Sequence, residues 1–348
     1  MSLLFMDGFD HYASTDITKK WSTFGTVSTS FLNMTADGRR GGGSFKITNN
    51  NVACWMGKTF APAASVVVGF AFKFATTNTE YAVPILKLMD ASVQQVVLML
   101  NIDGTLQVTR AGTAVTNGTS ASSLSPATWY YIELKVTIAD SISAGTCKVR
   151  VNGVDVITVA TGQDLKATAN ATVNEVRLGY MHAGTNVTSY FDDFYLCDAA
   201  GSTNNDFLGD CRIDTIYPTS DGNYSQFTCS TGSTHYALVD EATPNTSDYN
   251  DGVSANDRDS YGLGNLAALS SQTIYGVQVN VAALKDDAGA KNAATFVRSG
   301  STNADGATNA LGTSQLYIWN VFEQDPNAVA AWTETTVNAM EAGVKVVA

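Results

Sequence analysis

The stretches NIDGTLQV (101–108), WYYIELKV (129–136), KVRVNGVDVI (148–157) and YFDDFYLCD (190–198) decide the fold. In each, apolar and polar residues alternate around a turn, so one face of an extended strand enters a core while the other meets water. Asp103-Gly104 and Asn152-Gly153 read as tight hairpin turns, and Asp37-Gly38 and Asn117-Gly118 as further turns, because Gly takes a positive φ at little steric cost. Outward from these stretches, strand signals fall at Leu3–Met6, Ser44–Ile47, Ala53–Thr59, Val66–Phe74, Tyr81–Met89, Gln95–Ile102 and Leu106–Arg110. Strands at such regular spacing predict a β-sandwich or jelly roll.

A chain of 348 residues with 45% hydrophobic content is long enough for two cores. The small polar run AAGSTNN (199–205) has no apolar periodicity and reads as a linker between a domain over 1–198 and a second over 206–348. Strands are expected in the second domain at Cys211–Ile216, Tyr224–Cys229, His235–Val239, Ser260–Leu263, Thr273–Ala283, Ala294–Arg298 and Gln315–Phe322, with a turn at Asp221-Gly222-Asn223. Near the end Thr333 caps a short helix reaching Met340, with Val337 and Met340 on one face. Gly343 is placed to end that helix, and residues 343–347 close the domain as a strand. The predicted class is all-β: two β-sandwich (jelly-roll) domains, the second with one short helix.

The net charge of -12 is uneven. Residues 1–199 carry 14 Lys and Arg against 15 Asp and Glu, whereas residues 200–348 carry 6 against 17. An acidic surface repels phosphate backbones and anionic headgroups, so nucleic acid and membrane are not expected partners. No apolar run approaches the ~18 to 20 residues that span a bilayer. Ser2–Met6 is short and lacks the basic flank of a secretory signal, so passage through the general export pathway is not expected. Charged residues are only 15%, which fits a β-rich extracellular or particle-bound protein.

Five cysteines form no CxxC pair and have no His at metal spacing, which argues against structural zinc. Cys211 and Cys229, flanking the expected turn at Asp221-Gly222-Asn223, are the disulfide candidates. The polar loop DEATPNTSDYNDGVSANDRD (240–259) offers Asp248, Asp251 and Asp257 as calcium candidates, although their spacing is not that of an EF-hand. No cofactor is expected. Asp192 and Asp193 are sequential, so on a regular strand they point to opposite faces and tie the last strand down. His11, His182 and His235 are scattered, with no Ser or Cys motif to complete a triad.

Three phrases carry a family resemblance: Trp129-Tyr130-Tyr131-Ile132-Glu133-Leu134, the hairpin Val151-Asn152-Gly153, and Asp192-Asp193-Phe194-Tyr195-Leu196. With them the first 198 residues resemble the laminin-G/concanavalin-like lectin superfamily. That resemblance implies a sandwich and leaves the ligand open. Some members are glycoside hydrolases, but their E-x-D-x-x-E signature is absent here, so an enzyme is not expected. Lectins stack sugars on exposed aromatics, which among Trp55, Trp129, Tyr180 and Trp332 makes Trp55 and Tyr180 the glycan-binding candidates.

Residues 4–12 (LFMDGFDHY), 201–210 (GSTNNDFLGD) and 296–300 (FVRSG) also resemble segments of uncharacterised tailed-bacteriophage structural proteins. This implies a virion component made in the host cytoplasm: a capsid decoration, collar or tail-appendage subunit that docks on other virion proteins and displays its acidic domain. A homo-oligomer, for instance a trimer, is expected. The competing expectation is a carbohydrate-binding module for host surface glycan.

Overall fold

The computed structural model describes residues 2–25, 32–48, 54–76, 82–140, 144–159, 163–179, 188–266 and 272–347. In chain order the strands of its first part are β1 Leu3–Asp7, β2 Thr23–Phe24, β3 Leu32–Thr35, β4 Ser44–Thr48, β5 Trp55–Ala63, β6 Ser65–Phe74, β7 Val83–Asp90 and β8 Val93–Leu100. They continue as β9 Thr105–Arg110, β10 Thr113–Ser123, β11 Tyr130–Thr137, β12 Thr146–Val151, β13 Val154–Val159, β14 Val173–Gly179 and β15 Thr188–Cys197. Two antiparallel sheets result. One has eight strands in the order β13-β12-β11-β6-β15-β4-β3, with β1 also pairing β15, and the other has seven in the order β10-β9-β8-β7-β14-β5-β2.

Alternation explains why the sheets stack. Val66, Val68, Phe70, Phe72 and Phe74 of β6 are buried, as are Ile132, Leu134 and Val136 of β11 and Phe191, Phe194 and Leu196 of β15. The facing sheet contributes Leu86, Leu88, Val96, Leu98, Val108, Val176 and Leu178, all buried. Each such side chain stabilises the fold by roughly 1.5–3 kcal/mol relative to exposure. Phe72 and Phe191 pack with ring centroids 5.3 Å apart.

Asn152 and Gly153 both have positive φ, 50° and 79°, which is the twist a two-residue hairpin requires. Asn117-Gly118 differs from its expected role. Asn117 adopts φ 58° inside β10 as a bulge, and the pairing with β9 slips between Ala114 and Thr119 without a chain reversal.

The chain divides into two compact units, Met1–Ile213 and Asp214–Ala348. Residues 206–213, assigned from composition to the second domain, therefore belong with the first. The second unit is built on a six-stranded sheet in the order Pro218–Ser225, Arg258–Leu263, Glu341–Val346, Asn292–Ser299, Thr302–Asp305, with Asn309–Ala310 also pairing Asn292–Ser299. A two-stranded antiparallel sheet of Val277–Ala283 and Leu316–Phe322 packs against it, and Val279, Val297, Phe322, Trp332, Val337, Met340 and Ala342 form the core between them. Both units are all-β, and the second carries one short helix, Glu334–Ala339, capped by Thr333 as expected.

Four local expectations after residue 205 are corrected. Residues 211–216 form no strand, and Asp221-Gly222-Asn223 lies inside the strand Pro218–Ser225. His235–Val239 holds a single 3-10 turn, Tyr236–Leu238. Gly343 sits within the strand Glu341–Val346, where a Cβ would stand 2.1 Å from the Asp259 carbonyl oxygen, so it is required for strand packing and does not stop the helix.

Candidate functional site

Because side chains alternate, the face of the eight-stranded sheet turned away from the core carries Trp129, Tyr131, Glu133 and Lys135 beside Gly69, Ala71 and Lys73 of β6. Beyond them stand Tyr190, Asp192 and Tyr195 of β15, Ser44 and Lys46 of β4, and Asn33 of β3. The register sets these residues in rows across the strands: Lys73 pairs Tyr190, Tyr190 pairs Lys46 and Lys46 pairs Asn33. Glu133 and Tyr195 both stand opposite Gly69.

Most of this face is covered by residues 206–213, which cross it as a strap. Asp206 pairs with Lys135 at 3.0 Å, Phe207 lies under Arg150 with the guanidinium 4.2 Å from its ring centre, and the Leu208 N–H donates to the Tyr195 hydroxyl at 3.1 Å. The Gly209 N–H donates to Glu133 Oε1 at 2.8 Å, and the Ile213 N–H donates to Asp193 Oδ1 at 2.8 Å. Asp210 accepts from Arg39 at 2.5 Å and from Arg40 at 3.1 Å. Arg39 belongs to a glycine-rich loop pinned by Asp10: a Cβ on Gly42 would meet the Asp10 carboxylate at 2.4 Å, and Gly42 itself needs φ 78°.

Under the strap the sequential carboxyls do not point apart as a regular strand would make them. β15 bulges between Asp192 and Tyr195, and Asp193 takes φ 49°, so both side chains engage the covering loops on one face. Asp192 Oδ2 accepts from the Arg39 N–H at 2.8 Å, and Asp193 Oδ2 lies 3.7 Å from the Arg39 guanidinium. Burial, with the Asp193 charge beside it, pushes Asp192 up to about 8. Burial pushes Asp193 up to about 6, held back by the Ile213 N–H and Arg39.

Among the described residues, the strap does not reach one end of the face. There Trp129 and Tyr190 stand with ring centroids 6.4 Å apart and planes inclined by 67°. The Lys73 ammonium lies 4.8 Å from the Trp129 ring centre and 4.4 Å from that of Tyr190, and Lys46 lies 5.6 Å from Tyr190 on its other neighbouring strand. Lys73 also reaches Asp37 at 2.7 Å. All four members of this row are half-buried. Aromatic rings interleaved with ammonium groups on a solvent-facing sheet can hold a polar ligand by stacking, cation–π attraction and hydrogen bonds.

The sequence candidates fall elsewhere. Trp55 lies in the opposite sheet, half-buried, with the Arg177 guanidinium 3.8 Å from its ring centre and Arg177 itself held by Glu175 at 2.7 Å. Tyr180 and His182 lie outside the described residues. Trp332 is a core residue whose indole donates to the Phe322 carbonyl. Asp257 accepts from the Ser254 N–H, Asp251 sits in a two-residue pairing with Thr228–Cys229, and Asp248 neighbours Ser247. Among the described residues no group of three or more His, Cys, Asp or Glu is gathered to hold a metal.

All five cysteines are free thiols, which corrects the expected Cys211–Cys229 bridge. Cys211 lies in the strap of the first unit, where burial pushes its thiol up to about 12, whereas Cys229 lies in the second. The row itself was missed because Lys46, Lys73 and Tyr190 become neighbours only through long-range strand order. Their outward positions in their own strands were the available signal.

No family model matches the sequence, and no curated protein matches it. Solved structures of similar fold include the cellulose induced protein Cip1, at 17% identity and TM-score 0.42, covering 56% of this chain and 97% of that one. Alginate lyase Aly36B is similar at 10% identity and TM-score 0.36, covering 54% and 91%. A sialidase from Trypanosoma rangeli is similar at 13% identity and TM-score 0.32, covering 44% of this chain and 25% of the sialidase. Likeness at these levels concerns the fold alone. It nevertheless overturns one expectation: with lyases and sialidases among the similar structures, the missing E-x-D-x-x-E signature is no ground for excluding an enzyme.

Proposed function

We propose that this chain is a structural subunit of a tailed-phage virion whose first unit recognises host surface glycan. The observation that carries the glycan reading is the row of Trp129, Lys73, Tyr190 and Lys46 on a sheet face otherwise closed by the strap. Lys73, Tyr190 and Lys46 are fixed by backbone pairing on three adjacent strands, with Trp129 immediately before β11, and preorganised side chains lose little entropy on binding. The virion setting is supported by the phage-like segments at 4–12, 201–210 and 296–300. In that setting the protein assembles in the host cytoplasm as a homo-oligomer docked on capsid, collar or tail proteins.

A glycan array probed with the full chain tests the first part. Binding is expected, and Trp129→Ala or Tyr190→Ala should abolish it while Trp55→Ala leaves it intact. Retention of binding by both row variants would refute this placement of the site. Co-sedimentation with purified phage particles tests the second part, and a protein that stays in the supernatant is not a virion subunit.

A further inference from the structure

Taking the row as the glycan site proposed above, we infer that its ligand is an anionic glycan whose sugar carboxylates are held by the ammonium groups of Lys73 and Lys46. The ring geometry carries this. Tyr190 has Lys73 4.4 Å from its ring centre on one neighbouring strand and Lys46 5.6 Å from it on the other. Trp129 likewise has Lys73 at 4.8 Å. Rings flanked in this way act less as stacking platforms for a neutral sugar than as supports that hold two ammonium groups in position.

Among the described residues no other cation of this face lies over the Trp129 or Tyr190 ring, and each of the others has a carboxylate beside it. Lys135 pairs with Asp206, Arg39 and Arg40 pair with Asp210, and Lys148 and Arg150 pair with Asp155. Lys46 has no carboxylate partner among the described residues. Lys73 has one, Asp37, and with side chains 12% and 55% exposed the carboxylate is the solvent-facing member of the pair, the one that an incoming anion can displace. A sugar carboxylate arriving at the row can therefore replace Asp37 on Lys73 and meet Lys46 without first breaking a buried contact. The acidity of the chain does not oppose this, because it is concentrated after residue 199.

Asp37 is the discriminating residue, since it competes with an anionic ligand and is irrelevant to a neutral one. The test is calorimetric titration of the full chain with oligogalacturonate and oligosialate, and with the carboxyl-reduced form of each, at two salt concentrations. The acidic oligosaccharides should bind at least tenfold more tightly than their reduced forms, and the difference should shrink in higher salt. Lys46→Gln and Lys73→Gln should each weaken binding about tenfold, whereas Asp37→Asn should strengthen it several-fold. The unchanged near-ultraviolet circular dichroism expected of these surface variants separates lost contacts from lost fold. Equal affinity for acidic and reduced forms, lost in Trp129→Ala but indifferent to the lysine and Asp37 variants, would overturn the inference and leave the glycan reading standing. No binding of any oligosaccharide, with no glycan bound on the array, would overturn both.

Discussion

Asp193 donates its backbone N–H to Asp192 Oδ1 at 2.8 Å, a contact made where the β15 bulge turns two sequential carboxyls onto one face. The strap and the glycine-rich loop then seal both from water, with Asp192 4% and Asp193 4% exposed. Burying two like-charged groups side by side favours their protonated forms, which is why both are raised above the usual carboxylate range.

This pair makes the first unit's stability fall as pH rises. Both groups hold protons more tightly folded than unfolded, so their contribution is fully present below about pH 4, the unfolded carboxylate value. It is lost as pH climbs through about 6 for Asp193 and about 8 for Asp192. Asp192→Asn removes one member of the pair. Its melting temperature relative to wild type should rise steadily between pH 5 and pH 9. A wild-type-minus-variant difference that stays flat over that range would show that the pair does not titrate there.

The strap is held through side chains of the sheet face, and Tyr195 is the pivotal one. Its hydroxyl donates to Glu133 Oε1 at 2.5 Å and accepts from the Leu208 N–H. Tyr195→Phe leaves both partners buried and short of a hydrogen bond, at a cost of about 1–3 kcal/mol. Urea unfolding should report that loss, and amide exchange at Leu208 and Gly209 should accelerate selectively. Unchanged exchange at those two amides would mean that the strap is fastened elsewhere.

Gly69 lies beneath the same tyrosine. A Cβ at Gly69 would stand 2.1 Å from a Tyr195 ring carbon, far inside contact distance, and the ring has little room to move because Glu133 holds its hydroxyl. Gly69→Ala should therefore cost about 1–3 kcal/mol by overpacking. In the double variant with Tyr195→Phe the two costs should not add, since a ring freed from Glu133 can shift. Strict additivity in urea unfolding would argue that the glycine and the tyrosine are uncoupled.

How much of this was legible follows from where the determining contacts lie. Strands β6 and β11 could be read directly, because their inward Phe, Ile, Leu and Val positions recur every second residue and the alternation is local, whereas in β15 the bulge breaks that period between Phe191 and Phe194. β14, VNEVRLG, escaped notice because Glu175 and Arg177 on its outer face pair with each other and make the segment look polar. The strand Pro218–Ser225 has no apolar alternation at all and exists through backbone pairing with Arg258–Leu263. The strap read as linker for a similar reason: its anchors are backbone N–H groups of Leu208, Gly209 and Ile213, which carry no side-chain signature. The Asp192 and Asp193 carboxyls were placed on opposite faces because a bulge is invisible to a two-residue period.

The second unit's short helix depends on its cap. Thr333 accepts from the Thr336 N–H at 3.2 Å, and the helix runs only from Glu334 to Ala339, too short to persist without that start and the burial of Val337. Thr333→Ala should destabilise the second unit by about 1 kcal/mol, whereas Thr333→Asp, which restores the acceptor, should recover most of it. Equal loss in both variants would show that the threonine acts through packing instead.

Lys58 supplies an opposite pH dependence within the first unit. Its ammonium is 4.2 Å from the centre of the Phe5 ring and donates to the Lys20 carbonyl, with only 2% of the residue exposed. Burial first, and the neighbouring Lys20 charge second, press it down to about 6, with Asp7 pulling the other way. A lysine whose folded value lies below its unfolded one opposes folding most strongly in acid, and that penalty fades as pH rises from about 6 toward 10. Lys58→Met keeps the stem's packing on Phe5 and removes the charge, at the cost of the bond to Lys20. The variant's stability relative to wild type should therefore be greatest below pH 6 and decline steadily above it. That slope is opposite in sign to the one expected for Asp192→Asn, so pH-resolved melting of the two variants distinguishes the two buried clusters. If Lys58→Met tracked wild type in parallel across the range, the lysine would be charged in the folded protein at every pH tested.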